Sequence, residues 1–171
     1  MSRLVLVSLC LYLLGCAADG DPSSSPPAQA AAPAPSGPAQ WALRLDLRDT
    51  SGPAFVALAT GRVKRGSLSS DEEETFDFSV ETDPWRIEST QKRMFNFLGV
   101  TGRRGFDTLR EIPTDYFVPR MGSEELVVGA LFGVRTNAER YAKVLIADKT
   151  ETSLDLLVVY QPDGSRLFPD E

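Results

Sequence analysis

The 171-residue sequence contains no histidine. That excludes Ser-His-Asp catalysis, imidazole-bearing metal sites and bis-histidine haem ligation. Its two cysteines, Cys10 and Cys16, both stand within the first 16 residues. If that segment is processed, no thiol remains downstream for catalysis, disulfides or thiolate metal binding. Positive charge is also in short supply: 18 Lys and Arg face 24 Asp and Glu, a formal net charge of −6. Phosphate neutralisation needs clustered Lys and Arg, so nucleic acid is excluded as a main partner. No Gly-x-Ser-x-Gly elbow occurs, and no carboxylate pair is spaced as an acid and a base. The glycine-spaced stretches Gly99–Gly102 and Gly102–Gly105 lack the Lys-Ser/Thr of a phosphate loop and read as turns. No catalytic residue is assigned, and a non-enzymatic role is expected.

What is present begins with a targeting segment. Residues 1–16 read MSRLVLVSLCLYLLGC. Arg3 supplies the positive start, and Leu4 to Leu14 is apolar apart from Ser8. At about 1.5 Å per residue these 11 residues span roughly 17 Å, too short for a hydrocarbon core of about 30 Å. The length suits the apolar region of a secretory signal. Leu13-Leu14-Gly15-Cys16 then resembles a bacterial lipobox, although Leu14 is bulkier than the small residue usual there. The alternative is an ordinary signal peptide with an incidental cysteine. The resemblance implies a signal peptide over 1–15 and lipidation of Cys16, including a palmitate-type acyl chain. It also implies stable membrane anchoring, because several buried acyl chains at about 0.8 kcal/mol per CH₂ hold where one is marginal. Ala17, rather than Asp, follows Cys16, which by the same resemblance implies the outer membrane of the cell envelope.

Residues 16–40 carry the lipidated cysteine and a tether. Twenty of the 24 residues from Ala17 to Gln40 are Ala, Pro, Ser or Gly. Such a stretch cannot bury enough apolar surface to offset the entropy of ordering it, so disorder is expected. Its reach lies between roughly 27 Å as a coil and 75 Å fully extended.

Residues 41–171 are long enough for one domain with its own core. Leu43, Leu45 and Leu47 alternate with Arg44, Asp46 and Arg48, the period of a half-buried strand. Ala54–Thr60, Phe76–Val80, Trp85–Ser89 and Met94–Val100 predict four more strands. Phe106–Ile112 suits a short helix stopped by Pro113, or irregular chain. Leu126–Thr136, Tyr141–Ala147 and Leu154–Tyr160 predict three strands with short links, an antiparallel meander at the C-terminus. No βα alternation recurs. The fold class expected is mainly β: a single antiparallel domain.

Several groups could carry chemistry. Ser67–Glu74 (SLSSDEEE) could offer hard oxygen ligands to Ca²⁺, but it lacks the ligand spacing and turn glycine of a calcium loop and reads as a solvated loop. Arg62, Lys64 and Arg65, with Lys92-Arg93 and Arg103-Arg104, could face anionic lipid, but solvated strand ends are the plainer reading. The large apolar residues Trp85, Met94, Phe95, Phe97, Tyr116, Phe117, Met121, Phe132 and Tyr141 are expected in the core. Met94 and Met121 are the only internal methionines, and a thioether pair can ligate haem iron axially, whereas methionine also simply fills gaps in cores.

From Leu131 to Phe168 the chain resembles the HmuY-like haem-binding lipoproteins. The residues concerned are Val134-Arg135-Thr136, Tyr141-Ala142-Lys143-Val144 and Val159-Tyr160-Gln161-Pro162-Asp163-Gly164. Trp85-Arg86-Ile87 stands where that family has Trp-Asp-Ile, so Arg86 departs from the pattern, and Asn137–Arg140 lacks the family's usual glycine turn. The resemblance implies a β-rich domain that binds a small ligand, haem by analogy, with Met94 and Met121 as the residues available to ligate iron. The alternative is a lipid-anchored module that binds envelope proteins or serves structurally, without a cofactor.

Overall fold

The computed structural model describes residues 37–48, 52–91 and 94–169, all within the unit Pro33–Glu171. The expected signal peptide, Cys16 and the tether up to residue 36 lie outside the described residues, as do Lys92 and Arg93.

The alternation of Leu43, Leu45 and Leu47 forms β1 (Ala39–Asp46), which begins two residues before the expected domain boundary at 41 and takes Ala39 and Gln40 from the tether. The short apolar run after Pro53 forms β2 (Ala54–Ala57), and a turn through Gly61 leads into β3 (Arg62–Arg65). Strand β4 (Phe78–Thr82) and β5 (Trp85–Ser89) make a hairpin, and β6 (Phe95–Val100) follows. A two-residue strand β7 (Arg120–Met121) precedes β8 (Ala130–Arg135), β9 (Tyr141–Lys149) and β10 (Ser153–Gln161). The protein is thus mainly β, with two five-stranded antiparallel sheets in the orders β1-β10-β9-β8-β6 and β3-β2-β4-β5-β7. The expected meander is β8-β9-β10, and β1 extends it by pairing along the whole of β10.

The main core lies between the sheets. Val56, Phe78, Val80 and Ile87 from the second sheet meet Phe132, Val144, Leu156 and Val158 from the first. Phe95 stacks edge-on against both Phe78 and Phe132, with ring centroids 5.7 and 6.2 Å apart, a contribution beyond area burial alone. The first sheet is covered on its other face too. Leu131, Leu145 and Val159 pack there against Phe106, Ile112 and Phe168. This is why the strands of the meander read as nearly continuous apolar runs: both of their faces are buried. Gly133 belongs to this arrangement, because a Cβ at that position would stand 2.5 Å from Ile112 Cγ2. Gly99, at φ +97°, supplies the extra residue of a bulge where β6 slips against β8.

Three expectations are corrected. Gly102–Gly105, expected as a turn, is the first part of helix α2 (Gly102–Thr108), which also absorbs the start of the ambiguous Phe106–Ile112 segment. Phe106 is the residue this helix buries, and its burial holds the turn-like glycine sequence in helical form. The acidic run, expected as a loop, contains the one-turn helix α1 (Ser70–Glu73). There Glu72 accepts hydrogen bonds from Ser69 N and Oγ, both at 2.9 Å, and from Lys64 Nζ at 2.5 Å. The Lys64 ammonium, helped by Ser69, holds the Glu72 carboxyl down to about 2. Tyr116, expected in the core, is 90% exposed at φ +63°, and Phe97 is exposed at the edge strand β6.

Candidate functional site

Among the described residues only two charged side chains are buried, Asp77 and Lys143. Burying an ionised group is costly unless it is hydrogen-bonded, so each calls for a physical reason. Asp77 precedes β4. Its carboxylate accepts from Leu58 N at 2.7 Å and Asn137 N at 3.1 Å, which ties the turn after β2 to the β8–β9 connection. Asn137 Nδ2 donates to Phe76 O at 2.8 Å and Thr90 Oγ1 at 2.9 Å, closing a polar joint between the two sheets. Burial pushes the Asp77 carboxyl up, against the lowering effect of its two amide donors. Burial also pushes the Tyr160 phenol up, and the nearby Asp77 charge adds to it.

Lys143 is 6% exposed on the outer face of β9. Its ammonium donates to Phe106 O at 2.9 Å and lies 5.0 and 5.2 Å from the ring centroids of Phe106 and Phe168. It thereby serves two ends at once: it satisfies a carbonyl near the C-terminus of α2, where cations are favoured, and it faces two aromatic rings.

Beside Lys143 a cleft of about 580 Å³ opens between α2, the start of β1, β10 and the segment after Phe168. Its lining runs over the buried Phe106, Val159 and Phe168 and includes Arg103, Arg110, Lys143 and Asp107 among the described residues. Arg103 Nε contacts both Asp107 oxygens, at 2.8 and 3.0 Å, and its guanidinium lies 5.5 Å from the Phe106 ring centroid. The lining holds no thiol or thioether.

Met94 and Met121 are placed elsewhere. Both lie in the core between the sheets, at 0% and 1% exposure. Met94 N donates to Val118 O at 3.1 Å, and Met121 pairs with Ile87 in the register of β5 and β7. The two therefore sit within one core. As packed, their thioethers do not fit a porphyrin: a macrocycle reaching them would have to part the sheets.

The other expected groups have local roles. Among the described residues, no three carboxylates converge on a metal-sized site. Arg62, Lys64 and Arg65 occupy the edge strand β3, where Lys64 pairs with Glu72 and Arg62 lies 5.7 Å from the Phe76 ring centroid. Arg86, at the position where the resembled family carries Asp, pairs with Glu81 at 2.6 Å across the β4–β5 hairpin. Trp85 packs on the core while Lys149 Nζ stands 4.7 Å from its ring centroid. Burial lowers the Lys149 ammonium, whose hydrogen bond goes to Leu126 O at 2.7 Å.

The cleft is not legible in the sequence because its walls come from four separated segments. The signal within reach is Lys143 itself, a lysine centred in an apolar strand whose two faces are both buried. No family model matches the chain, and no curated protein matches it by sequence.

Proposed function

We propose that this chain is a lipid-anchored bacterial envelope protein whose β domain is a non-catalytic ligand-binding module similar to the HmuY-like lipoproteins. In this reading Cys16 carries the lipid anchor, the Pro/Ala/Ser-rich stretch holds the domain away from the outer membrane, and the domain takes up a small ligand. The observation that supports ligand binding is the cleft of about 580 Å³ beside Lys143, with the exposed Arg103 and Arg110 in its lining. Haem is the ligand implied by resemblance, and the buried positions of Met94 and Met121 weigh against those two as its ligands.

A haemin titration under oxidising and reducing conditions tests the haem form, with the Met94→Ala/Met121→Ala double variant beside wild type. A Soret change lost in the double variant would assign the iron to those thioethers. A change that persists would keep haem and move it elsewhere. No change in either redox state would remove haem.

A second reading, an envelope interaction or structural protein without a cofactor, draws on one observation. Tyr116 is 90% exposed, with Val118 also exposed on the same segment. Aromatic residues are enriched where proteins meet.

The anchor has its own test. Cells fed an alkyne fatty acid should label the wild-type protein and leave Cys16→Ser unlabelled. Equal labelling of the two would remove the anchor from the proposal.

A further inference from the structure

The edge of a sheet presents unpaired N–H and C=O groups, and proteins guard such edges with charge, bulges, very short strands or covering chain. Among the described residues, three of the four edges of the two sheets are guarded. β3 carries Arg62, Lys64 and Arg65, and β7 is two residues long. On β6, Phe95 exchanges both backbone hydrogen bonds with Val118, at 2.8 and 3.0 Å, and the strand then bulges at Gly99. β1 is different. Its eight residues pair with β10 without a bulge and include no proline. The cation within it, Arg44, is balanced by Asp155 at 3.5 Å.

The register shows which groups of β1 are open. Leu47 N donates to Thr152 O at 2.7 Å, which continues the β1–β10 ladder by one pair. Hydrogen-bonded positions alternate along an antiparallel ladder. Trp41, Leu43 and Leu45 therefore turn their N–H and C=O groups toward β10, and Gln40, Ala42, Arg44 and Asp46 turn theirs outward. Asp46 O accepts from Arg65 Nη2. Gln40, Ala42 and Arg44 are exposed, and their outward backbone groups have no partner among the described residues. The sequence just before β1 is a poor occupant of this edge. Between Pro22 and Pro38 the longest stretch without proline is Ala28–Ala32, and proline has no N–H to give a ladder.

We propose that β1 pairs with β1 of a second copy of this chain, antiparallel about a two-fold axis at Ala42, so that the two β1-bearing sheets join into one. A two-fold pairing is self-complementary, so each open donor meets an open acceptor. Gln40 then stands opposite the partner's Arg44, and its amide oxygen accepts from that guanidinium. Trp41 and Leu43, both half-buried on the core side, gain a cross-strand apolar contact with the partner's Leu43 and the partner's Trp41. Neighbouring registers fit less well. An axis at Trp41 sets Pro38 opposite Arg44, an axis at Leu43 needs the Asp46 carbonyl that Arg65 occupies, and an axis at Arg44 opposes two guanidiniums. At about 3.3 Å per residue the two Ala39 residues lie about 20 Å apart, so two tethers reaching roughly 27–75 Å can end in one membrane.

The test is disulfide trapping in whole cells expressing the full chain, read as mass on a non-reducing gel. Cys10 and Cys16 are common to every variant, and wild type supplies the blank. Ala42→Cys sets two thiols directly opposite, within the span a disulfide bridges. Gln40→Cys alone, or Arg44→Cys alone, leaves like thiols about 13 Å apart along the strands, too far to bridge. Mild oxidation should therefore double the mass of Ala42→Cys with a yield about tenfold above either of the other two, a contrast set by the distance limit on the bond. Co-expressing the Gln40→Cys and Arg44→Cys chains should restore the doubled band. All three side chains are exposed, and a thermal melt within a few degrees of wild type confirms folding. Equal yields at the three positions would mean random collision and overturn the proposal. A strongest band from Arg44→Cys alone, or no doubled band from Ala42→Cys, would overturn it as well. A conjugate of another mass at Ala42→Cys would give this edge to a different protein and overturn the second copy.

Discussion

Asp77 shows how a residue that looks solvent-facing in the sequence becomes the polar joint of the fold. In the alternation Phe76, Phe78, Val80 it occupies an outward position, yet it is 5% exposed and accepts the amides of Leu58 and Asn137. Its folded-state pKa is raised, so the folded protein holds the proton more tightly than the unfolded chain. The unfolded chain therefore ionises first as pH rises. Its contribution is most favourable below the ordinary aspartate range and declines as pH climbs from there through the raised value. Asp77→Asn removes this titration and turns an amide NH₂ toward two N–H donors, which should cost about 1–3 kcal/mol. Urea unfolding of wild type and variant across pH 3 to 8 checks both parts. The wild-type advantage should shrink as pH rises, and an advantage that grows would mean that folding lowers the Asp77 pKa instead of raising it. Tyr160, 7% exposed and in ring contact with Trp41 at 6.1 Å, is expected to lose roughly 3–5 kcal/mol on truncation to alanine, read from the same unfolding curves. Tyr116 is the contrary case. An aromatic residue near apolar neighbours reads as core, but its φ of +63° accompanies a ring left almost wholly in solvent. Side-chain type carries no information about that turn of the backbone.

At the scale of elements, β5 is legible with its observed bounds, because Trp85, Ile87 and Ser89 alternate cleanly after Pro84. β8, β9 and β10 are legible for a different reason, as apolar runs divided by polar links. β3 is not, since Arg-Val-Lys-Arg has no apolar face and is a strand through its pairing with β2. α2 is not either. Glycines at both ends of Gly102–Gly105 argue locally against a helix, and it is Phe106 packed against the first sheet that decides otherwise. The same covered face explains Gly133. Gly133→Ala places a methyl 2.5 Å from Ile112 Cγ2, and overpacking of this kind should cost about 1–3 kcal/mol. Ile112→Ala removes both Cγ atoms, so the double variant should lose less stability than the sum of the two single variants, measured as thermal unfolding of all three. A Gly133→Ala protein as stable as wild type would mean that the Ile112 segment yields without cost.

At the scale of the whole molecule, a lipid anchor, a tether and a sandwich of two sheets would act as separable parts. A chain beginning at Pro38, just before β1, should melt within a few degrees of one beginning at Ala17, and a larger drop would show the tether packing on the domain. The sequence by itself determined the β class, the antiparallel meander and the lack of any thiol or imidazole downstream of residue 16. Each follows from local composition and periodicity: a period of two exposes one strand face, and a missing residue type removes its chemistry everywhere. The order of the strands across two sheets, the joint at Asp77 and the cleft beside Lys143 were decided only by tertiary structure. They depend on which distant segments meet. Asp77 finds Asn137 60 residues away, and Lys143 finds Phe106 37 residues away. The cleft draws its walls from Arg103, Lys143, Val159 and Phe168 because the second face of the first sheet is covered by a helix and by chain beyond β10. Periodicity reports that a strand face is buried, and it cannot name what buries it.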